Sequence, residues 1–304
     1  RQMGAVIQTT GEKGTPPISI KGNQALKAMT YDMPVASAQV KSGVLLAALW
    51  AEGETVVTEP APTRDHSERM LRGFGYEVTT EGSTIRIKGG GKLTATTIDV
   101  PADISSAAFF MVGASIAPNA DIVLQHVGIN PTRIGVINIL KDMGGDLTIM
   151  NERVVGGEPV ADIRVRSAKL KGIHINEKDV PLAIDEFPAL FIAAACAEGT
   201  TVLTGAEELR VKESDRIQVM ADGLVALGVN AQATPDGMII QGGQIGGGKV
   251  VSHGDHRIAM SFAIAALRAN DTIEIEDCAN VATSFPNFVS LAKRAGLNIK
   301  VLEV

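Results

Sequence analysis

The chain has 304 residues, with 28 Lys and Arg against 34 Asp and Glu, a net charge of −6, and 45% hydrophobic residues. That is the composition of a folded protein, long enough for two domains. The acidic balance excludes a general polyanion binder such as a nucleic-acid protein, so any anionic ligand has to be met by a local cluster of Arg and Lys. Two cysteines, Cys196 and Cys278, exclude a disulfide framework and point to a reducing, cytoplasmic setting. No apolar run reaches the roughly 18 residues that span a bilayer. The opening RQMGAVIQTT has no apolar core of the kind a secretory leader carries. It also does not begin with Met, as expected of a fragment, a processed product or one part of a longer polypeptide.

Residues 1–30 read as leading strands. One pattern then recurs four times: a small-residue helix, an alternating strand, a second helix and a closing strand. The first helices are ASAQVKSGVLLAALWA (36–51), ISSAAFFMVGASIAP (104–118), IDEFPALFIAAACAEG (184–199) and DHRIAMSFAIAALRA (255–269). The strands ETVVTE, ADIVLQ, TTVLTG and DTIEIE follow them. Each second helix stops at a glycine, at Gly75, Gly144, Gly228 and Gly296, where a left-handed cap is expected. The glycines are 69, 84 and 68 residues apart, so the middle interval houses an insertion or a longer loop. The closing strands are YEVTT, GDLTIM, VNAQA and LNIKV. Such units cannot bury both helices alone and have to pack on one another, with the small-residue helices innermost. The change of composition at 92–103 marks a connection between two lobes, an incomplete one over 1–100 and a fuller one over 101–304. The fold class is α/β.

Two glycine-rich runs imitate a phosphate-binding loop. GQIGGGK (243–249) has the spacing, but Val250 stands where magnesium needs Ser or Thr, and a strand follows where the motif opens a helix. It reads as a glycine-rich hairpin, and KGGGK (88–92) fails in the same way. Cys196, inside AAACA, reads as a core thiol, and neither the cysteines nor the five histidines have metal-ligand spacing.

Charge crowds at LRVKESDRI (209–217), which carries Arg210, Lys212, Glu213, Asp215 and Arg216. Two readings stay open here. One is a solvated helix start, with Glu213 or Ser214 near its N-terminus and Lys212 and Arg216 one turn apart on one face. The other is a carboxylate held between cations that exchanges a proton while the cations hold an anion. PTRDHSE (62–68) and GDHRIAM (254–260) place Arg64 and Arg257 at helix starts, suited to phosphate or carboxylate. Asp185 and Glu186 interrupt the apolar stretch PLAIDEFPALFIAAA, either as a partly desolvated base or as a helix cap.

The runs SAQVK (37–41), IDEFPAL (184–190), LRVKESDRI, GDHRIAM and TSFPNF (283–288), taken together in this order, resemble 5-enolpyruvylshikimate-3-phosphate synthase. SAQVK, RDHSE (64–68) and NPTR (130–133) resemble its class II subgroup, noted for glyphosate tolerance. The resemblance implies two lobes of three βαβαββ units each, with the active site in the cleft between them. It implies transfer of the enolpyruvyl group of phosphoenolpyruvate to the 5-hydroxyl of shikimate 3-phosphate, with phosphate released and no cofactor or metal.

By resemblance, Asp185 binds and deprotonates the attacking hydroxyl, Glu213 protonates the methylene carbon, and Lys212 stands beside the reacting centre. Arg216 and Arg257 clamp the phosphoenolpyruvate carboxylate. Gln39 reaches toward both substrates, and Ser37, the Ala38 backbone and Arg64 form the shikimate phosphate site. Arg1 grips the phosphoenolpyruvate phosphate, in a motif where Gln2 replaces the usual Pro. Ser284 stands where some members carry Lys. The family's N-terminal Lys-Ser and Asn-Ala-Gly-Thr segments are not in this sequence, so the expected partners are the two substrates and that segment, and the chain alone is expected to be a poor catalyst. The rival enzyme of the same fold, UDP-N-acetylglucosamine enolpyruvyl transferase, calls for a reactive Cys in the first lobe, whereas both Cys lie in the second. A non-catalytic truncated fragment is the rival from another class.

Overall fold

The computed structural model describes residues 1–22 and 25–302, leaving aside the Lys13 side chain. It divides into two units, Arg1–Val100 with Val154–Glu158, and Pro101–Arg153 with Pro159–Val304.

The first unit runs β1 (Ile7–Thr9), β2 (Ile18–Ile20), β3 (Leu26–Lys27), β4 (Thr30–Asp32), α1 (Ala38–Ala48), β5 (Ala51–Glu52), β6 (Glu54–Thr58), α2 (His66–Gly73), β7 (Val78–Glu81) and β8 (Thr84–Lys88). Its main sheet has the order β4-β6-β8-β7, with β4 and β6 parallel and the rest antiparallel. Alternation along β6 and β8 buries Thr55 and Val57, Ile85 and Ile87, which form a core with Leu45 and Ala48 of α1 and Leu71 of α2. Because only α1 lies on this core as a small-residue helix, Val40, Leu46 and Trp50 keep exposed surfaces.

The second unit begins with α3 (Ile104–Ile116), β9 (Asp121–Gly128), α4 (Gly135–Asp142) and the long strands β10 (Asp146–Val155) and β11 (Glu158–Arg166), whose connecting tip counts with the first unit. There follow α5 (Phe187–Cys196), β12 (Thr200–Leu203), a 3-10 turn (Glu207–Val211), α6 (Arg216–Ala226), β13 (Asn230–Thr234) and β14 (Gly237–Gln241). The chain ends through β15 (Gly248–Val251), α7 (His256–Ala265), β16 (Ile273–Glu276), α8 (Val281–Ser284) and α9 (Phe288–Arg294). Helices α3, α5 and α7 pack on one another. Their sequences are apolar almost all round, as a helix buried on every side requires, and every residue of α5 from Phe187 to Ala195 is buried.

The repeat has the expected element order in three copies, and a return strand follows in each: β8, β11 and β14. The four terminating glycines all have positive φ, at 75°, 87°, 81° and 100°, the left-handed cap that lets the chain turn without a Cβ clash. Two expectations are corrected. Residues 297–302 form no strand after α9. GQIGGGK is not a hairpin: Ile245 bridges Ala269, and β15 pairs in parallel with β16, so this run carries the chain into a crossover connection through α7. The long middle interval resides in the β10–β11 ribbon, twice the length of β7–β8, and in the 3-10 turn before α6. Among the described residues, no helix is long and apolar enough to cross a membrane.

Candidate active site

In the second unit the heads of α5, α6 and α7 bring together residues far apart in sequence. Asp185 lies just before α5. Its Oδ1 is 3.5 Å from Arg216 Nη1 and 3.9 Å from Lys212 Nζ, and its Oδ2 is 3.9 Å from Arg257 Nη2. Arg257 Nη1 also donates to the Asp185 carbonyl at 3.2 Å. One carboxylate therefore faces three cations at distances that leave their N–H groups available to a further anion.

The cations are fixed from behind. Asp255 caps α7, accepting from the Arg257 amide at 2.9 Å, and receives Arg216 Nε at 2.8 Å and Ser214 Oγ at 3.1 Å. Arg216 and Asp255 are both wholly buried. Burial pulls the Asp255 carboxyl upward, but the hydrogen bond and charge of Arg216 hold it below the usual carboxylate range. With Nε on Asp255 and Nη2 on Glu213 at 2.5 Å, the buried Arg216 Nη1 makes no hydrogen bond. Its ion-pair neighbour is Asp185, at 3.5 Å, and a buried donor without a hydrogen bond has capacity to bind a carboxylate. Lys212 Nζ makes an ion pair with Glu208 as well as facing Asp185.

The charge-dense stretch separates into two jobs. Arg210 pins the 3-10 turn to the neighbouring hairpin through Thr234 O (2.6 Å) and Pro235 O (2.8 Å), and pairs with Asp215 at 2.6 Å. Glu213 and Ser214 lie just before α6, as expected, and Asp215 caps it by accepting from Gln218 N. Lys212 and Arg216 do not share a helix face: Lys212 ends the 3-10 turn and α6 begins at Arg216. They converge on Asp185 because the chain bends between them.

Other residues of this site were named without these roles or stood unremarked inside the quoted runs. Glu186, next to Asp185, is buried, and its carboxyl accepts from Ser105 near the start of α3. Glu186 occupies the capping position of α5 without making a side-chain cap. Burial raises its carboxyl above the usual range, against the pull of Ser105, Arg133 and Arg257, while Asp185 adds to the rise. Arg133 donates to Ser105 Oγ at 2.6 Å and pairs with Asp103, the α3 cap, at 3.1 Å. His256, first in α7, has its imidazole lowered from the ordinary value by burial and then by Arg257. NPTR and GDHRIAM contain Arg133, Asp255 and His256, so the signal was present without a partner to interpret it.

In the first unit, Ser37 caps α1 by accepting from Val40 N at 3.3 Å, which places the Ala38 amide and the exposed Gln39 at the helix head. Arg64 is half-buried just before α2. The two helices are tied by Ser67 Oγ to Ser42 Oγ at 2.7 Å and by Lys41, buried between Glu59 (3.1 Å) and Glu68 (2.8 Å). Arg1 is exposed, and its Nε donates to the Ile7 carbonyl at 2.8 Å. Cys196 is largely enclosed, burial pushing its thiol up to about 12, and Cys278 is exposed.

Paired helix heads, a buried arginine and a carboxylate ringed by cations give this α/β protein a cation-lined site with a carboxylate at its centre. Residues 1–291 match the family model described as EPSP synthase (3-phosphoshikimate 1-carboxyvinyltransferase). Two 3-phosphoshikimate 1-carboxyvinyltransferases are close in sequence. That of Methylococcus capsulatus is 69% identical over 99% of this chain and 69% of its own length, and that of Alkalilimnicola ehrlichii is 67% identical over 97% and 66%. The solved EPSP synthase of Acinetobacter baumannii superposes with a TM-score of 0.94 at 66% identity, over 99% of this chain and 70% of that one. The chain belongs to the EPSP synthase family and spans about two thirds of the length of these relatives.

Proposed function

We propose that the Asp185 cluster carries the chemical step of enolpyruvyl transfer from phosphoenolpyruvate to the 5-hydroxyl of shikimate 3-phosphate. The observation that supports it most is the buried Nη1 of Arg216, which makes no hydrogen bond and faces Asp185 only at 3.5 Å, with Arg257 on the other side of that carboxylate. The phosphoenolpyruvate carboxylate engages Arg216 and Arg257, and in doing so competes with Glu213 for the Arg216 guanidinium. Glu213, released and protonated from solvent, gives that proton to the methylene carbon while Asp185 takes the proton of the attacking hydroxyl, so a C–O bond forms at the neighbouring carbon. Return of a methyl proton to Glu213 restores the double bond as the C–O bond to phosphate breaks. Lys212 stabilises the charge that leaves with it.

The shikimate phosphate is assigned to Ser37, the Ala38 amide, Gln39 and Arg64, where a helix head and a guanidinium favour a phosphate. Arg1 is assigned to the phosphate of phosphoenolpyruvate. A further proposal concerns α1, whose exposed Val40 and Leu46, with Trp50 just beyond it, are expected to be covered by a segment N-terminal to this copy of the repeat, drawn from the length the relatives have in addition. Adding that segment is expected to raise both thermal stability and turnover. Release of phosphate from the two substrates tests the main reading. Asp185→Asn is expected to lower kcat by about 10² to 10⁴, the range of a lost general base, with little change in the melting temperature. Full activity in that variant would contradict the assignment.

A further inference from the structure

Asp185 and Glu186 are adjacent, yet their carboxyls go to different places. Asp185 faces Lys212, Arg216 and Arg257, whereas Glu186 is bonded to Ser105 on α3. The turn that presents them is short, closed by Ala183 N on Val180 O at 3.1 Å and by Glu186 N on Ala183 O at 2.9 Å. On one side, Arg257 holds the Asp185 carbonyl. On the other, Ser105 is itself gripped by Arg133 at 2.6 Å, and Arg133 is anchored to the α3 cap Asp103 at 3.1 Å. Arg133 Nη2 lies 3.8 Å from Glu186 Oε1, beyond hydrogen-bond reach, so the serine hydroxyl is the joint between them. Charge balances locally: burial opposes ionisation of Asp103, but Arg133 and two backbone amides hold its carboxyl below the usual range, so Asp103 neutralises Arg133. Glu186 is not needed as a counter-ion, and its role in this chain of contacts is that of an acceptor.

We propose that Arg133, Ser105 and Glu186 form a brace from the head of α3 to the head of α5, which sets the position of Asp185 against Arg216 and Arg257. These are positioning residues for the reaction assigned above, and the inference rests on that reading. The brace gives NPTR a task, since its arginine links two of the three central helices. It works through geometry, where a displacement of about 1 Å in a reacting group is enough for a hundredfold loss of rate.

Glu186→Ala, Glu186→Gln and Arg133→Met are compared in steady-state turnover with both substrates and in amide hydrogen exchange at residues 183–186. Gln keeps the oxygen that accepts from Ser105, whereas Ala removes it. The expected result is a loss in kcat of about a hundredfold for Glu186→Ala and Arg133→Met. The KM for shikimate 3-phosphate stays unchanged, and the Ala183 and Glu186 amides exchange faster. Glu186→Gln is expected to recover most of the rate and the protection. A Glu186→Gln variant as impaired as Glu186→Ala overturns the brace, as does a Glu186→Ala variant that keeps both rate and protection. If the wild-type protein extended to the length of its relatives releases no phosphate while exchange follows the expected pattern, the enolpyruvyl reading falls and the brace of the Asp185 turn stands.

Discussion

The two units bury charge in different surroundings. In the second, three helices α3, α5 and α7 cover one another, and their heads gather Asp103, Arg133, Asp185, Glu186, Arg216, Asp255 and Arg257. In the first, one such helix, α1, has a buried ion cluster of its own, Lys41 with Glu59 and Glu68, while its candidate ligand-binding residues sit at the helix head or, like Gln39, in the open. The lesson is that the same repeated helix is buried along its length where copies surround it and keeps an exposed apolar side where they do not. The cation cluster of the second unit is prebuilt because its backing is complete. The phosphate seat proposed for the first unit would depend on Lys41, one turn beyond Ser37, which joins α1 to Glu59 and Glu68 on either side of Arg64.

The largest effect is expected for Arg216→Met. It leaves Asp255 buried without its counter-ion, a loss of about 3–5 kcal/mol measurable by urea unfolding, and it abolishes turnover. Lys41→Met tests the other side of the comparison. Two carboxylates then remain around a missing cation, and a loss of about 3 kcal/mol is expected, with a raised KM for shikimate 3-phosphate and little change in that for phosphoenolpyruvate. Equal effects on both KM values would erase the distinction between the units.

A smaller effect separates Glu186 from the other acids. Its carboxyl is raised in the folded state, chiefly by burial, so the folded protein holds a proton there that the unfolded chain has lost. Stability therefore falls as pH rises from the ordinary glutamate range toward the raised value. Glu186→Gln is expected to flatten that fall, gaining on the wild type near neutrality and losing the advantage on acidification. Asp255 has the opposite sign: its lowered carboxyl contributes stability that is present above the ordinary aspartate range and lost as pH falls through the depressed value.

Much of this was legible in the sequence. Four helix-ending glycines marked the repeat because a left-handed cap selects glycine, and small-residue helices marked the interior because only such helices pack closely on several sides. Asp185 was visible as a charge inside an apolar stretch, Lys212, Glu213 and Arg216 as a charge-dense run and Arg257 as a cation at a helix start, while their separate roles came from the family resemblance. The missing final strand after α9 was not legible, since LNIKV alternates like its counterparts and only pairing decides whether such a run forms a strand. Nor was the brace. Ser105, Arg133 and Glu186 are 28 and 53 residues apart, and nothing local in NPTR or DEFP distinguishes an arginine that holds a serine from one that meets a ligand. Lys41 was hidden for a similar reason, as its two acids come from a strand end and another helix.

The most direct test follows hydrogen rather than phosphate. During turnover in deuterium oxide, proton delivery to the methylene carbon and its removal exchange deuterium into that position of phosphoenolpyruvate and product, which NMR reads. Glu213→Gln is expected to suppress this exchange while phosphoenolpyruvate still binds through Arg216 and Arg257. Exchange at the wild-type rate in that variant would contradict the assignment of the proton to this site.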